Sequence, residues 1–92
     1  MANKIHTLKI WQEYYSQVIS GNKKFEIRNN DRDFQVGDVL ILQEYDPDVD
    51  SYTGEMVSAK ITYITNFGQK ENYVVMSIEL IDNLKELYKK NC

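Results

Sequence analysis

The stretch Gly21-Asn22-Lys23-Lys24-Phe25-Glu26-Ile27-Arg28 packs a turn, two ammonium groups, a carboxylate and a guanidinium into eight residues. Its last five residues alternate charged and apolar side chains, which reads as a strand. Period-two spacing sends Phe25 and Ile27 to one face, expected to be the inward one. Lys24, Glu26 and Arg28 share the other. Glu26 and Arg28 then stand about 7 Å apart on one side. They pair an acceptor with a rigid donor fork, a combination that reads a base edge or holds a phosphate. A lysine beside a carboxylate in a partly dry cleft could instead serve acid–base or nucleophilic chemistry. On an open face the same residues would form an ordinary surface ion pair.

The other chemistry-bearing residues offer less. Asp46, Asp48 and Asp50 cluster oxygens that a hard cation wants. A calcium loop of the EF-hand kind needs Gly at its sixth position and Glu at its twelfth, and Ser51 and Val57 stand there. The triplet therefore reads as a solvated hairpin loop. His6 is the single histidine and Cys92 the single cysteine. Neither a nitrogen- and sulfur-ligated metal site nor an internal disulfide can be built from them. His6 reads as a structural or surface residue. No serine sits in a nucleophile elbow, and no glycine-rich loop is present to cradle phosphates. No metal and no cofactor are expected.

These residues must be positioned by short elements. Ile5 to Ile10 alternates, with His6, Leu8 and Ile10 on one parity, and reads as a strand. Trp11, Tyr14, Tyr15, Val18 and Ile19 follow at helical spacing, predicting a helix over Trp11–Ser20. Gly21 is its expected C′ residue. After the Lys24–Arg28 strand and a polar loop over residues 29–33, Val36-Gly37-Asp38 is a turn launching a strand from Val39 to Tyr45. A loop over residues 46–51 leads to a long strand, Glu55–Thr65. Residues 66–72 form another loop, and Tyr73–Ile81 another strand. Asn83 and Glu86 resemble a capping box, with Leu84, Leu87 and Tyr88 as the apolar side of a short C-terminal helix. The order predicts one domain over residues 1–92, α+β and mostly β, with largely antiparallel strands closing into a small barrel.

Composition bounds the role. The 92 residues are 42% apolar and 12% aromatic, with seven tyrosines, enough for one core. The lone cysteine fits a reducing compartment. Met1–His6 lacks the apolar run of a signal peptide, and Val39-Leu40-Ile41-Leu42 is far too short to span a bilayer. The expected location is cytoplasmic. The net charge of −3 argues against general nucleic-acid coating. Its distribution says more: residues 1–32 hold six bases and three acids, while residues 33–59 hold seven acids and no base. An acidic flank beside a basic segment can confine a polyanion to one groove.

His6-Thr7-Leu8-Lys9, the Gly21–Arg28 run and Asp31-Arg32-Asp33-Phe34-Gln35-Val36-Gly37-Asp38 together resemble the ASCH domains of the PUA-like superfamily, in particular a short bacterial and phage-associated branch. Tyr45-Asp46-Pro47, Tyr52-Thr53-Gly54 and Tyr73-Val74-Val75-Met76 resemble the same branch, so the likeness runs to about Leu80. It implies a PUA-like barrel with a cleft beside the first helix that holds RNA or a nucleotide. One ASCH subgroup is similar to amidohydrolases that deacetylate acetylated cytidine with a Lys, a Thr and a Glu. The Lys falls on Lys23, but the Thr falls on Glu26, and the Glu has only Glu71 as a counterpart, in a shortened region. The resemblance therefore carries the cleft and not the reaction. The expected function is RNA or nucleotide binding, with Lys9, Lys23, Lys24, Arg28 and Arg32 meeting phosphate or base acceptors. Glu26 would accept from an exocyclic amine, and Trp11 or a tyrosine would stack on a base. The alternatives are an amidohydrolase on an acylated nucleoside, drawing on Lys23, Glu26 and Glu71, and a protein-interaction module.

Overall fold

The computed structural model describes residues 3–81. The C-terminal helix expected from Asn83 and Glu86 lies outside them. Five strands and one helix follow in the order β1 (Ile5–Trp11), α1 (Gln12–Ile19), β2 (Phe25–Asn29), β3 (Val39–Asp46), β4 (Ser51–Thr65) and β5 (Tyr73–Leu80). They form one sheet with strand order β1-β3-β4-β5-β2. The sheet curls into a half-barrel around a core that includes Leu8, Leu40, Leu42, Ala59, Ile61 and Met76, with Tyr15 and Val18 of α1 packed into it.

Three of the four pairings are antiparallel, as the sequence predicts, but β1 pairs with β3 in parallel, Ile5 opposite Val39 through Trp11 opposite Tyr45. The reason lies in the route of the chain. Helix α1 lifts off the end of β1 and β2 goes to the far edge, so β3 re-enters beside β1 in β1's own direction. The long strand β4 has irregular register in two places. In the first, Thr53, Gly54 and Glu55 bulge between the Gln43–Met56 and Tyr45–Tyr52 pairs. Gly54 takes φ +96°, a conformation that only glycine adopts at little cost. The bulge lets β4 start at Ser51, four residues earlier than the sequence predicts.

Helix α1 covers one end of the half-barrel. Its apolar stripe is split: Tyr15 and Val18 are buried, whereas Trp11, Tyr14 and Ile19 are about half exposed. The helix ends at Ser20, and Gly21 follows at φ +85°. The Asn22 and Lys23 N–H groups both donate to Gln17 O, which fixes the angle at which the chain enters β2.

His6 and Asp38 clamp the start of β1 to the turn before β3. His6 Nε2 lies 2.8 Å from Asp38 Oδ2, and both residues are buried. Phe34 packs edge-on against the His6 ring, centroids 4.7 Å apart. Burial pushes the Asp38 carboxyl pKa up, but the hydrogen bond from His6, those from the Lys4 and Gln35 N–H groups and the charge of His6 together outweigh it. The result lies below the ordinary carboxylate value. His6 is therefore the structural residue that the sequence suggests.

Candidate functional site

Strand β2 turns its charged face inward. Glu26 is opposite Met76 and Arg28 opposite Val74, and both partners are core residues of β5. Phe25 and Ile27 are 41% and 48% exposed, while Glu26 is 3% exposed, so the expected assignment of faces is reversed. The physical reason is the position of β2 on the sheet. It is an edge strand whose inner face does not meet another sheet but looks across the open side of the half-barrel toward β1 and α1. Polar groups there line a cleft instead of filling a core.

A buried carboxylate is tolerated only if it is paired and fully hydrogen-bonded. Glu26 meets both conditions. Oε1 accepts from Arg28 Nε at 3.0 Å and lies 2.9 Å from Nη2, and Oε2 accepts from the Lys23 ammonium. Lys23 Nζ also donates to Phe25 O at 2.7 Å, and Arg28 Nη2 to Lys9 O at 2.8 Å. The last bond ties β2 to β1 across the open side. Arg32 repeats the tie, donating from Nη1 to Thr7 O at 2.8 Å. Two guanidinium groups thus occupy edge carbonyls of β1 where a closed barrel would have a strand.

Lys23 and Arg28 both line the cleft and keep donors to spare. No hydrogen bond among the described residues uses Arg28 Nη1, and Lys23 Nζ has one proton beyond its two bonds. Two cations around one carboxylate leave a net positive charge on the floor. The walls are aromatic: Trp11 and Tyr14 come from the β1–α1 junction, Phe25 from β2 and Tyr73 from the start of β5. The cleft has a volume of about 810 Å³, within the range of small-molecule sites.

Of the residues singled out from the sequence, Lys9, Trp11, Lys23, Glu26 and Arg28 come together here. Lys9 contributes the carbonyl that holds Arg28, while its ammonium sits 4.1 Å from the centre of the Tyr45 ring. Lys24 lies elsewhere, in a depression with Val18, Gly21 and Ile78. Arg32 supports the β1 edge and does not line the cleft. Glu71 lines a separate groove, apart from Lys23 and Glu26. Tyr14, Asn29 and Tyr73 also line the cleft. The readable signal for Tyr14 is its place one turn beyond Trp11; Tyr73 carries none, because only the tertiary fold brings β5 beside Asn29.

With the geometry in view, relatives can be compared. The family described as a domain of unknown function (DUF3850) matches residues 5–78. The chain belongs to this family. The match takes in β1 to β4, the helix and all but the last two residues of β5, and with them each residue of the cleft. The DUF3850 domain is also 39% identical over 77 residues to the "Uncharacterized 12.9 kDa protein in GpA 3′region" of Escherichia phage P2. That alignment covers 83% of this chain and 69% of the relative. Among the described residues no helix is long and apolar enough to cross a membrane.

Proposed function

We propose that this DUF3850 domain is a PUA-like, ASCH-type module that binds RNA or a nucleotide in the cleft between α1 and β2. The observation that carries the reading is the Lys23–Glu26–Arg28 cluster on the floor of an aromatic-walled cleft. Glu26 is satisfied within the protein, so its part is to hold two cations at a fixed separation and orientation. The protons they do not spend on Glu26 or on backbone carbonyls point to an acceptor-rich ligand. Phosphate oxygens and base carbonyls are such acceptors. The rings of Trp11, Tyr14 and Tyr73 suit a planar base, and stacking tolerates any base because each has a π-face.

The arrangement favours binding over acyl transfer. A nucleophilic lysine needs a free lone pair, whereas the Lys23 side-chain nitrogen is engaged with the Glu26 carboxylate and the Phe25 carbonyl. A carboxylate at position 26 also sets negative charge where an acyl oxyanion would need donors. Acetylated cytidine should therefore be bound or ignored, not hydrolysed.

The test is a thermal-shift panel of nucleosides, nucleotides and short RNAs on purified protein. A ligand at about a hundred times its dissociation constant should stabilise the fold by roughly 2.7 kcal/mol. In a domain of this size that is a rise of about 10–20 °C. Turnover of an acylated nucleoside that disappears in Lys23→Ala would replace the reading with an amidohydrolase.

A further inference from the structure

We infer that the cleft is the first half of a longer track and that the ligand is a single-stranded oligonucleotide, not a mononucleotide. The inference rests on the binding reading just given and names its ligand class. A second groove, of about 430 Å³, opens beyond Tyr73, which lines both. The two adjoin through Tyr73 and consecutive residues at the end of β2. Asn29 lines the first and Asn30 the second, and the Asn30 N–H donates to Asn72 O at 2.7 Å, tying the end of β2 to the β4–β5 loop.

The chemistry changes across Tyr73. The first cleft offers cationic donors, and its one carboxylate is already occupied. The second is lined by Asn66, Gln69 and Asn72 and by Asn30, whose Oδ1 already accepts from the Phe34 N–H at 2.8 Å, with Lys70 and Glu71 offsetting each other in charge. A carboxamide presents a donor and an acceptor side by side in one plane, the pattern that complements a base edge. The first half therefore suits phosphate and the second suits a base.

The loop that lines the second groove also carries a stacking surface. Phe67, in the loop that frames the second groove, is 87% exposed. Its N–H donates to Thr65 Oγ1 at 3.2 Å, and Gly68 follows at φ +72°, so a turn presents the ring. A phenylalanine this exposed contributes nothing to the core. Tyr73 lines the amide groove, Phe67 stands in the same loop between the lining residues Asn66 and Gln69, and the Lys70 ammonium lies 5.8 Å from the centre of the Tyr73 ring. Successive bases stacked on spaced aromatic rings, beside a cationic path for the backbone, are how single strands are held without base pairing.

The experiment is a fluorescence-anisotropy titration with labelled oligoadenylates of one, two, four and six nucleotides. The proteins are wild type, Phe67→Ala, the Asn66→Ala/Gln69→Ala double variant and Arg28→Ala. Phe67 is exposed enough that its replacement leaves the fold intact, which a melting curve checks. Affinity should rise about tenfold or more between one and four nucleotides and then level off. Phe67→Ala and the double variant should each lose about fivefold or more on the four-nucleotide probe, the lower end of a stacking contribution, and bind the mononucleotide as wild type does. Arg28→Ala should weaken both probes. Equal affinity for one and four nucleotides, with Arg28 still required, would overturn the track and leave the cleft reading standing. So would a length effect unchanged in both second-groove variants. No binding of any probe would overturn the cleft reading together with the track.

Discussion

Replacing Glu26 with alanine tests whether the cluster is built as described. The carboxylate is buried and accepts from Lys23 and from Arg28 Nε, with Arg28 Nη2 2.9 Å away. Its removal leaves two cations confined side by side with nothing between them. Breaking a buried ion pair from one side costs about 3–5 kcal/mol. The Lys23 and Arg28 side chains remain 17% and 26% exposed and recover part of their hydration, so the lower end applies. Glu26→Ala should lose about 3 kcal/mol, which lowers the melting temperature by about 12–24 °C. Urea unfolding followed by circular dichroism gives the free energy and calorimetry the melting temperature. A loss under about 1 kcal/mol, the range of exposed ion pairs, would refute the reasoning. The companion variant Lys23→Met/Glu26→Leu/Arg28→Met removes all three charges at once. It should recover most of that stability, less about 1 kcal/mol for the Lys9 carbonyl left without its donor. It should also lose nucleotide binding, as expected of a cluster kept for its ligand and not for the fold.

Three further outcomes are expected. Because the folded-state pKa of Asp38 is lowered, its carboxylate stabilises the fold fully above the unfolded value of 3.8 and loses that contribution as pH falls through the folded value. The urea midpoint of wild type should therefore fall more steeply below pH 4 than that of Asp38→Asn. Leu42→Ala, at a fully buried position where β3 meets β1 and β4, should cost about 2–5 kcal/mol in the same unfolding assay. Adding EDTA should leave the melting temperature unchanged, since no group of three or more His, Cys, Asp or Glu side chains among the described residues is arranged to hold a metal.

Much of the fold is legible where alternation is strong. Ile5–Ile10 is the strand that its alternation predicts, with His6, Leu8 and Ile10 sharing the inward face, and α1 begins and ends within one residue of its predicted range. Alternation is less informative in two places. In Lys24-Phe25-Glu26-Ile27-Arg28 it marks a strand but not which parity faces inward. Hydrophobicity picks Phe25 and Ile27, whereas the cleft demands Glu26 and Arg28. Local pattern and global fold conflict in this way at functional sites. The direction of β1 is also illegible, since period two is the same in parallel and antiparallel pairs. In the site, the Gly21–Arg28 run signals Lys23, Glu26 and Arg28. Lys24 and Arg32 share their charge but not their location, because Lys24 precedes the strand and faces α1's C-terminal end, and Arg32 reaches back to Thr7. Tyr73 arrives from far along the chain, and no local spacing reports it.

If Lys23 and Arg28, held by a buried Glu26, offer their free protons to a phosphate-bearing ligand, binding must depend on salt and on both cations. The most direct test is the salt dependence of binding of a labelled short RNA to wild type, Lys23→Ala and Arg28→Ala, with each variant's fold checked by its melting curve. The account predicts measurable affinity at low salt that falls linearly in log–log form as salt rises, and weaker binding with a slope smaller by about one in each variant. Affinity that neither variant changes, or no affinity at low salt, would contradict it.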